Sequence, residues 1–257
     1  MRTSTLTAAL VLAGAAPHSI SAAEAPADLV RVGDAAMNGA ALQPYDNLWR
    51  VTVRRNDGSS EDLGLSSDHV RIRTIDGKPY LTRVEGSTNV NSKSRPLSSS
   101  FDMTFNVFDR QTMAPIHSEA YASDGSYVIR DFSGRHVVTV TAGERPAPAQ
   151  RTEMDADQPV YDFHGGMTGL LLAALPLRAG YTATLPGMGD TASDLNLIRV
   201  VGRERIDAGR RGRFDCWAVE IGAAPSRSTY WISKQSPYVI RAAVKSPRGT
   251  AYWIMAD

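Results

Sequence analysis

His164-Gly165-Gly166 has the composition of an oxyanion loop, in which backbone amides freed by glycine face a developing negative charge. Such a hydrolase presents its nucleophile on a Gly-x-Ser-x-Gly elbow, and the sequence contains none, so the tripeptide reads as a tight turn before an apolar segment. Asp57-Gly58-Ser59-Ser60-Glu61-Asp62 is rich in oxygen, but it lacks the alternating acids and closing bidentate Glu of a calcium loop and reads as a solvated hairpin. Asp155 and Asp157 could form an acid and base pair, yet they stand in a polar, proline-bounded stretch where charges serve solubility. His69, His117, His136 and His164 show no spacing of metal-ligand type. Cys216 has Phe214 and Ala218 on its own face, which points to a buried, inert thiol. Arg203, Arg205, Arg210, Arg211 and Arg213 gather around Gly209 and could meet an anion, but Glu204 and Asp207 are interleaved with them, as on an exposed hairpin.

The elements that would position these groups have to fit 257 residues with 28 Lys plus Arg against 27 Asp plus Glu, a balance too even to gather nucleic acid by charge. A single cysteine excludes an intrachain disulfide framework and a zinc site built from several thiolates. Leu6 to Ala16 is apolar, follows Arg2 and is shorter than a bilayer span; Ser21-Ala22-Ala23 then suits a signal peptidase. Residues 1–23 therefore read as a signal peptide and 24–257 as one exported domain, periplasmic or secreted, with no lipid anchor and no membrane span.

A short helix is expected from Asp28 to about Met37, where Asp28 can cap and Leu29, Val32 and Ala36 share a side. From Leu48 the period falls to two. Trp49, Val51 and Val53 alternate with Arg50, Thr52 and Arg54; Val70 and Ile72 with His69, Arg71 and Arg73; Met103, Phe105 and Val107 with Thr104 and Asn106. Asn56-Asp57-Gly58, Asp76-Gly77, Asp124-Gly125 and Ser133-Gly134 stand between such runs and suit tight hairpins, so the pattern is an antiparallel meander. Ser92 to Ser100 reads as a mobile loop, and residues 143–159 as a loop or crossing between two halves. Met167 to Leu175 is apolar on every side and stopped by Pro176, which makes it a helix that must be buried in the concavity of a curved sheet. Strands resume at about Tyr181–Leu185, Leu195–Ile206, Arg213–Ile221, Thr229–Ser233, Tyr238–Lys245 and Ala251–Met255.

Four stretches carry a family resemblance: Phe108 to Gly134, Leu175 to Met188, Gly212 to Ile221 and Ser228 to Val244. Their marks are Asp109, Thr112 and Pro115, then Leu175, Pro176, Leu177 and Gly180, then Tyr230, Trp231 and Pro237. On these residues the chain resembles, from about Tyr45 to Asp257, a bacterial family of exported proteins called domain-of-unknown-function family 3108. The resemblance implies the fold of the periplasmic lipoprotein carriers, a half-open antiparallel barrel around a helix and an apolar cavity. It brings no catalytic residues.

The expected fold is mainly β, a curved antiparallel half-barrel or open barrel with a short N-terminal helix and one buried apolar helix. The expected function is noncatalytic binding or carriage of an apolar or extended ligand, without cofactor or metal; Met167, Leu171, Trp217, Trp231 and Trp253 are the residues expected to line it. Candidate partners are a lipid, a lipoprotein or a glycan of the envelope. The alternatives are an envelope scaffold with a fully packed core, and a hydrolase without a recognisable motif. An empty apolar cavity would favour the carrier over the scaffold.

Overall fold

A computed structural model describes residues 27–89, 103–143, 148–163, 167–188, 193–223, 227–246 and 249–256. The expected signal peptide, the expected loop at Ser92–Ser100 and His164-Gly165-Gly166 lie outside these residues.

The first half of the chain forms β1 (Asp28–Leu29), β2 (Tyr45–Arg55), β3 (Ser60–Ile75), β4 (Lys78–Asn89) and β5 (Met103–Asp109). It continues with β6 (Pro115–Tyr121), β7 (Tyr127–Ser133), β8 (His136–Ala142) and β9 (Gln150–Asp155). After α1 (Thr168–Ala173) come β10 (Thr182–Met188), β11 (Ser193–Asp207), β12 (Arg213–Ile221), β13 (Ser228–Ser233), β14 (Val239–Ser246) and β15 (Gly249–Met255). All belong to one open fifteen-stranded sheet in the order β1-β10-β11-β12-β13-β14-β15-β2-β3-β4-β5-β6-β7-β8-β9. The chain therefore builds two meanders and joins the last strand of the second, β15, to the first of the other, β2. Every pair is antiparallel except β1 with β10. Turn chemistry sets the hairpins: Asp76 and Gly77 both take positive φ, 50° and 76°, and link β3 to β4 with the twist that a tight hairpin demands.

Two expected features are replaced. The N-terminal helix is absent, and residues 28–41 form β1, turns and a 3₁₀ turn at Gly39–Ala41. The free edge of β10 takes the backbone instead: Asp28 and Leu29 pair with Ala183 and Thr184, and the Val30 amide donates to the Thr184 carbonyl at 2.9 Å. Gly33 then turns at φ 96°, with the Asp34 carboxylate accepting from the Arg31 amide at 2.7 Å, so no helical turn can start at Asp28. The stretch 143–159 is not wholly a loop, since it holds β9. Gln150 to Asp155 is an exposed edge strand with almost no apolar residue, and its pairing to β8 is a backbone matter that periodicity cannot register.

The sheet bends. Tyr230 on β13 feels the charges of Glu85 and Arg83 on β4, although β14, β15, β2 and β3 stand between them. Its inner face, defined as the face that meets α1, is apolar over β10 to β15 and the upper half of β2: Leu185, Ile198, Val219, Ile232, Ala251 and Val51 are at most 4% exposed. The helix occupies this region, against β13 and β14. Its approach is close, because a Cβ at Gly169 would collide with Val239 Cγ2.

Candidate binding site

One row of paired residues crosses the inner face. From Tyr230 the register runs through Ala242 and Trp253 to Val51 on β2, and Tyr45 lies on the same face of that strand, an even number of residues away. From Tyr45 it continues through Val70, Arg83, Asn106, Ser118, Arg130 and Thr139 to Thr152 on β9. The inner face thus turns from apolar to polar at β3. Asn47 (3% exposed), Asn106 (1%) and Ser118 (3%) are enclosed as deeply as the leucines, yet Asn47 Oδ1 and Nδ2, Asn106 Oδ1, Ser118 Oγ and Arg130 Nε have no hydrogen-bond partner. A buried polar atom left unpaired costs about 1–3 kcal/mol, so this row is an unusual place to spend stability.

Beside it lies an ionic cluster. Arg83 Nε is 2.8 Å from Asp68 Oδ1, too bent for a hydrogen bond, and Arg83 Nη2 donates to Glu85 Oε2 at 3.1 Å. Tyr45 Oη donates to Asp68 Oδ2 at 2.9 Å, and Ser66 Oγ to Glu85 Oε1 at 3.1 Å. Burial works against the Arg83 charge, but Asp68 and Glu85 outweigh it and raise its pKa. Burial first, and then the Asp68 charge, push the Tyr45 phenol well above its ordinary value, which keeps it protonated and donating. Burial also drives Tyr230 up to about 12, opposed by a hydrogen bond with Thr168 at the start of α1. Arg130, half-buried, is lowered by burial, and the charge of fully buried Asp162 partly offsets this.

Sequence periodicity assigns this strip to solvent. On β5 it puts Met103, Phe105 and Val107 inside, whereas the inner residues are Thr104, Asn106 and Phe108, and Met103 is 46% exposed. Val107, at 9%, is buried on the opposite face. The missed signal was one of phase: Asp68 is two residues from Val70, and Arg83 two from Leu81, so each shares a face with a residue that is fully buried.

The residues expected to line a ligand do not form one group. Met167 and Leu171 are both 0% exposed, sealed in the core, so no water-sized space borders either. Trp217 and Trp253 lie on the inner face, paired with Ile232 and with Ala242, and both are partly exposed. Trp231 points the other way, with the Arg241 guanidinium 3.6 Å from its ring centroid. Three of the arginines around Gly209 are engaged with acids, Arg203 and Arg205 approaching Asp215 at 3.6 and 3.9 Å and Arg213 Nε donating to Asp207 at 3.3 Å, while Arg211 Nη1 donates to the Asp46 carbonyl at 3.3 Å. Asp57 accepts from the Ser59 amide and hydroxyl inside its own hairpin. His69, His117 and His136 each pair with an aspartate across the outer face, at 2.5, 2.6 and 3.0 Å, and Asp155 is the partner of His136.

Cys216 is 0% exposed, with its thiol held near the Phe214 carbonyl at 3.7 Å. Burial pushes its pKa up to about 12, and neighbouring Asp215 adds to this. The thiolate is the reactive form, so the native protein should resist a thiol reagent at neutral pH and be labelled only on addition of denaturant. Rapid native labelling, followed by absorbance, would contradict the burial.

These features define a class of protein: an open antiparallel sheet bent over one short buried helix, with an inner face apolar at the helix and polar beyond it. Within that class the chain belongs to the family described as "Protein of unknown function (DUF3108)", whose model matches residues 86–252. No curated protein and no solved structure matches the chain.

Proposed function

We propose that this is a noncatalytic binding module of the cell envelope, a half-barrel akin to the periplasmic lipoprotein carriers, exported after cleavage behind Ala23. The observation that carries the reading is the open sheet bent over an inner face that turns polar beyond the helix, where Asn47, Asn106 and Ser118 are enclosed with side-chain atoms that no protein group pairs. The ligand it favours is extended and polar along at least part of its length. A binding site at α1 itself is disfavoured by the complete burial of Met167 and Leu171. Purification from a periplasmic extract, with N-terminal sequencing and native mass spectrometry, tests this. An N-terminus at Glu24 and a noncovalent adduct released on unfolding are expected; a cytoplasmic protein that retains Met1, or a periplasmic one with no adduct at any stage, would refute it.

A second reading, an envelope scaffold with a filled core, is favoured by that same packing of the helix. In that case the polar row would be a structural element and no adduct would be found.

A further inference from the structure

We infer that the free edge of β9 is an interface for a second copy of this chain, which adds its own β9 antiparallel across a two-fold axis at Thr152. This does not rest on what the inner face binds. β9 ends the sheet order, and among the described residues no strand pairs with its outer side. The opposite edge is covered: β10 carries β1 and, further along, Tyr161 bridged to Gly187. The chain leaving β9 keeps clear of the edge. Ala156 and Val160 pack on Phe132 and Val137 of the inner face, so this segment turns beneath the sheet.

The parity of the ladder leaves the right backbone groups outside. The Ala156 amide donates to the Arg135 carbonyl at 2.9 Å, and the β8–β9 register continues from there without a break. Alternation along the strand then turns the N–H and C=O of Gln150, Thr152 and Met154 toward β8, and those of Arg151, Glu153 and Asp155 outward. In an antiparallel pair centred on Thr152, each Arg151 stands opposite the partner's Glu153 as a hydrogen-bonded pair, so the outward groups are the ones used. Side chains choose this register. An axis normal to the sheet keeps both inner faces on one side, so it must pass beside a residue. At Arg151 it would set arginine against arginine, and at Glu153 glutamate against glutamate. At Thr152, each Arg151 keeps its own Glu153 and also meets the partner's Glu153, and four exposed charges alternate in sign around a square. On the inner face Thr152 meets the partner's Thr152, a favourable cross-strand pair.

Sedimentation of the mature protein over a concentration series should show a monomer–dimer equilibrium. Amide exchange at Arg151 and Glu153 should slow at least tenfold as the dimer forms. Arg151→Glu and Glu153→Arg each put like charges across the axis and should weaken the dimer tenfold or more. Both positions are exposed, so the circular dichroism of either variant should match the parent. Mixing the two variants sets the glutamates of one against the arginines of the other and should restore a dimer of one copy of each, as should both exchanges made in one chain. A protein monomeric at every concentration, unchanged amide exchange, a dimer that survives either single reversal, or variants that fail to rescue each other would overturn the inference. A monomer purified with a foreign peptide along β9 would overturn it as well, by giving the edge to a different partner.

Discussion

Leu171→Ala should lower the stability of the folded protein by about 2–5 kcal/mol, read as a fall in denaturant midpoint at unchanged slope. Leu171 is 0% exposed, and so is Leu172 beside it; both sit on a helix that packs against β13 and β14 closely enough to require glycine at 169. Truncation then loses the transfer energy of the side chain and leaves a cavity that rigid strands cannot fill. The size of the loss also separates two readings of the inner face. A helix that bordered an apolar ligand cavity would already have slack beside it, and the same substitution would cost less than about 1 kcal/mol and alter the binding of an apolar fluorescent probe. A large loss with no probe binding in the parent would place the ligand away from the helix, on the polar half of the sheet.

Much of this architecture is legible in the residues because hairpin signals and strand runs are local. Asn56-Asp57-Gly58, Asp76-Gly77, Asp124-Gly125 and Ser133-Gly134 all connect consecutive strands, and the six strand runs of the second half lie within a few residues of β10 to β15. The apolar stretch from Met167 forms the buried helix, although the helix proper is only Thr168–Ala173. What periodicity misses is long-range. The pairing of β15 with β2 and of β1 with β10 joins residues about two hundred and one hundred and fifty positions apart, and nothing local encodes either. The phase error on β5 has a different cause: alternation reveals that two faces differ, and hydropathy gives burial to the apolar one. Here the polar face is enclosed by the bend of the sheet, while Met103 and Val84 on the other face are left at 46% and 36% exposure. Periodicity therefore leaves the polar row on the solvent side.

Arg83→Met should destabilise the protein by about 3–5 kcal/mol, the cost typical of leaving buried charges without their partner. The Arg83 side chain is 4% exposed, Asp68 likewise 4%, and Glu85 20%, so water cannot replace the guanidinium that lies between the two carboxylates. Tyr45 and Ser66 would still donate to them, but two neutral hydrogen bonds do not balance two negative charges in a poorly solvated site. Two comparisons separate this cause from lost packing. Lowering the pH should recover part of the loss, because a carboxylate that takes up a proton no longer needs the arginine, whereas a cavity is indifferent to pH. Joint replacement of Arg83, Asp68 and Glu85 by Met, Leu and Leu should be far milder than Arg83→Met alone, since it removes the unpaired charge together with its partner. If Arg83→Met shifts the denaturant midpoint by less than the equivalent of about 1 kcal/mol, the cluster is better hydrated than its enclosure implies. The deeper reason for the arrangement is positional. β3 and β4 are long strands with polar residues on both faces where they meet the row, so apolar burial alone specifies their register weakly there. An arginine on one strand that must meet an aspartate on the other and a glutamate two residues along its own fixes that register, and with it the alignment of Asn106 and Ser118 on the strands beyond.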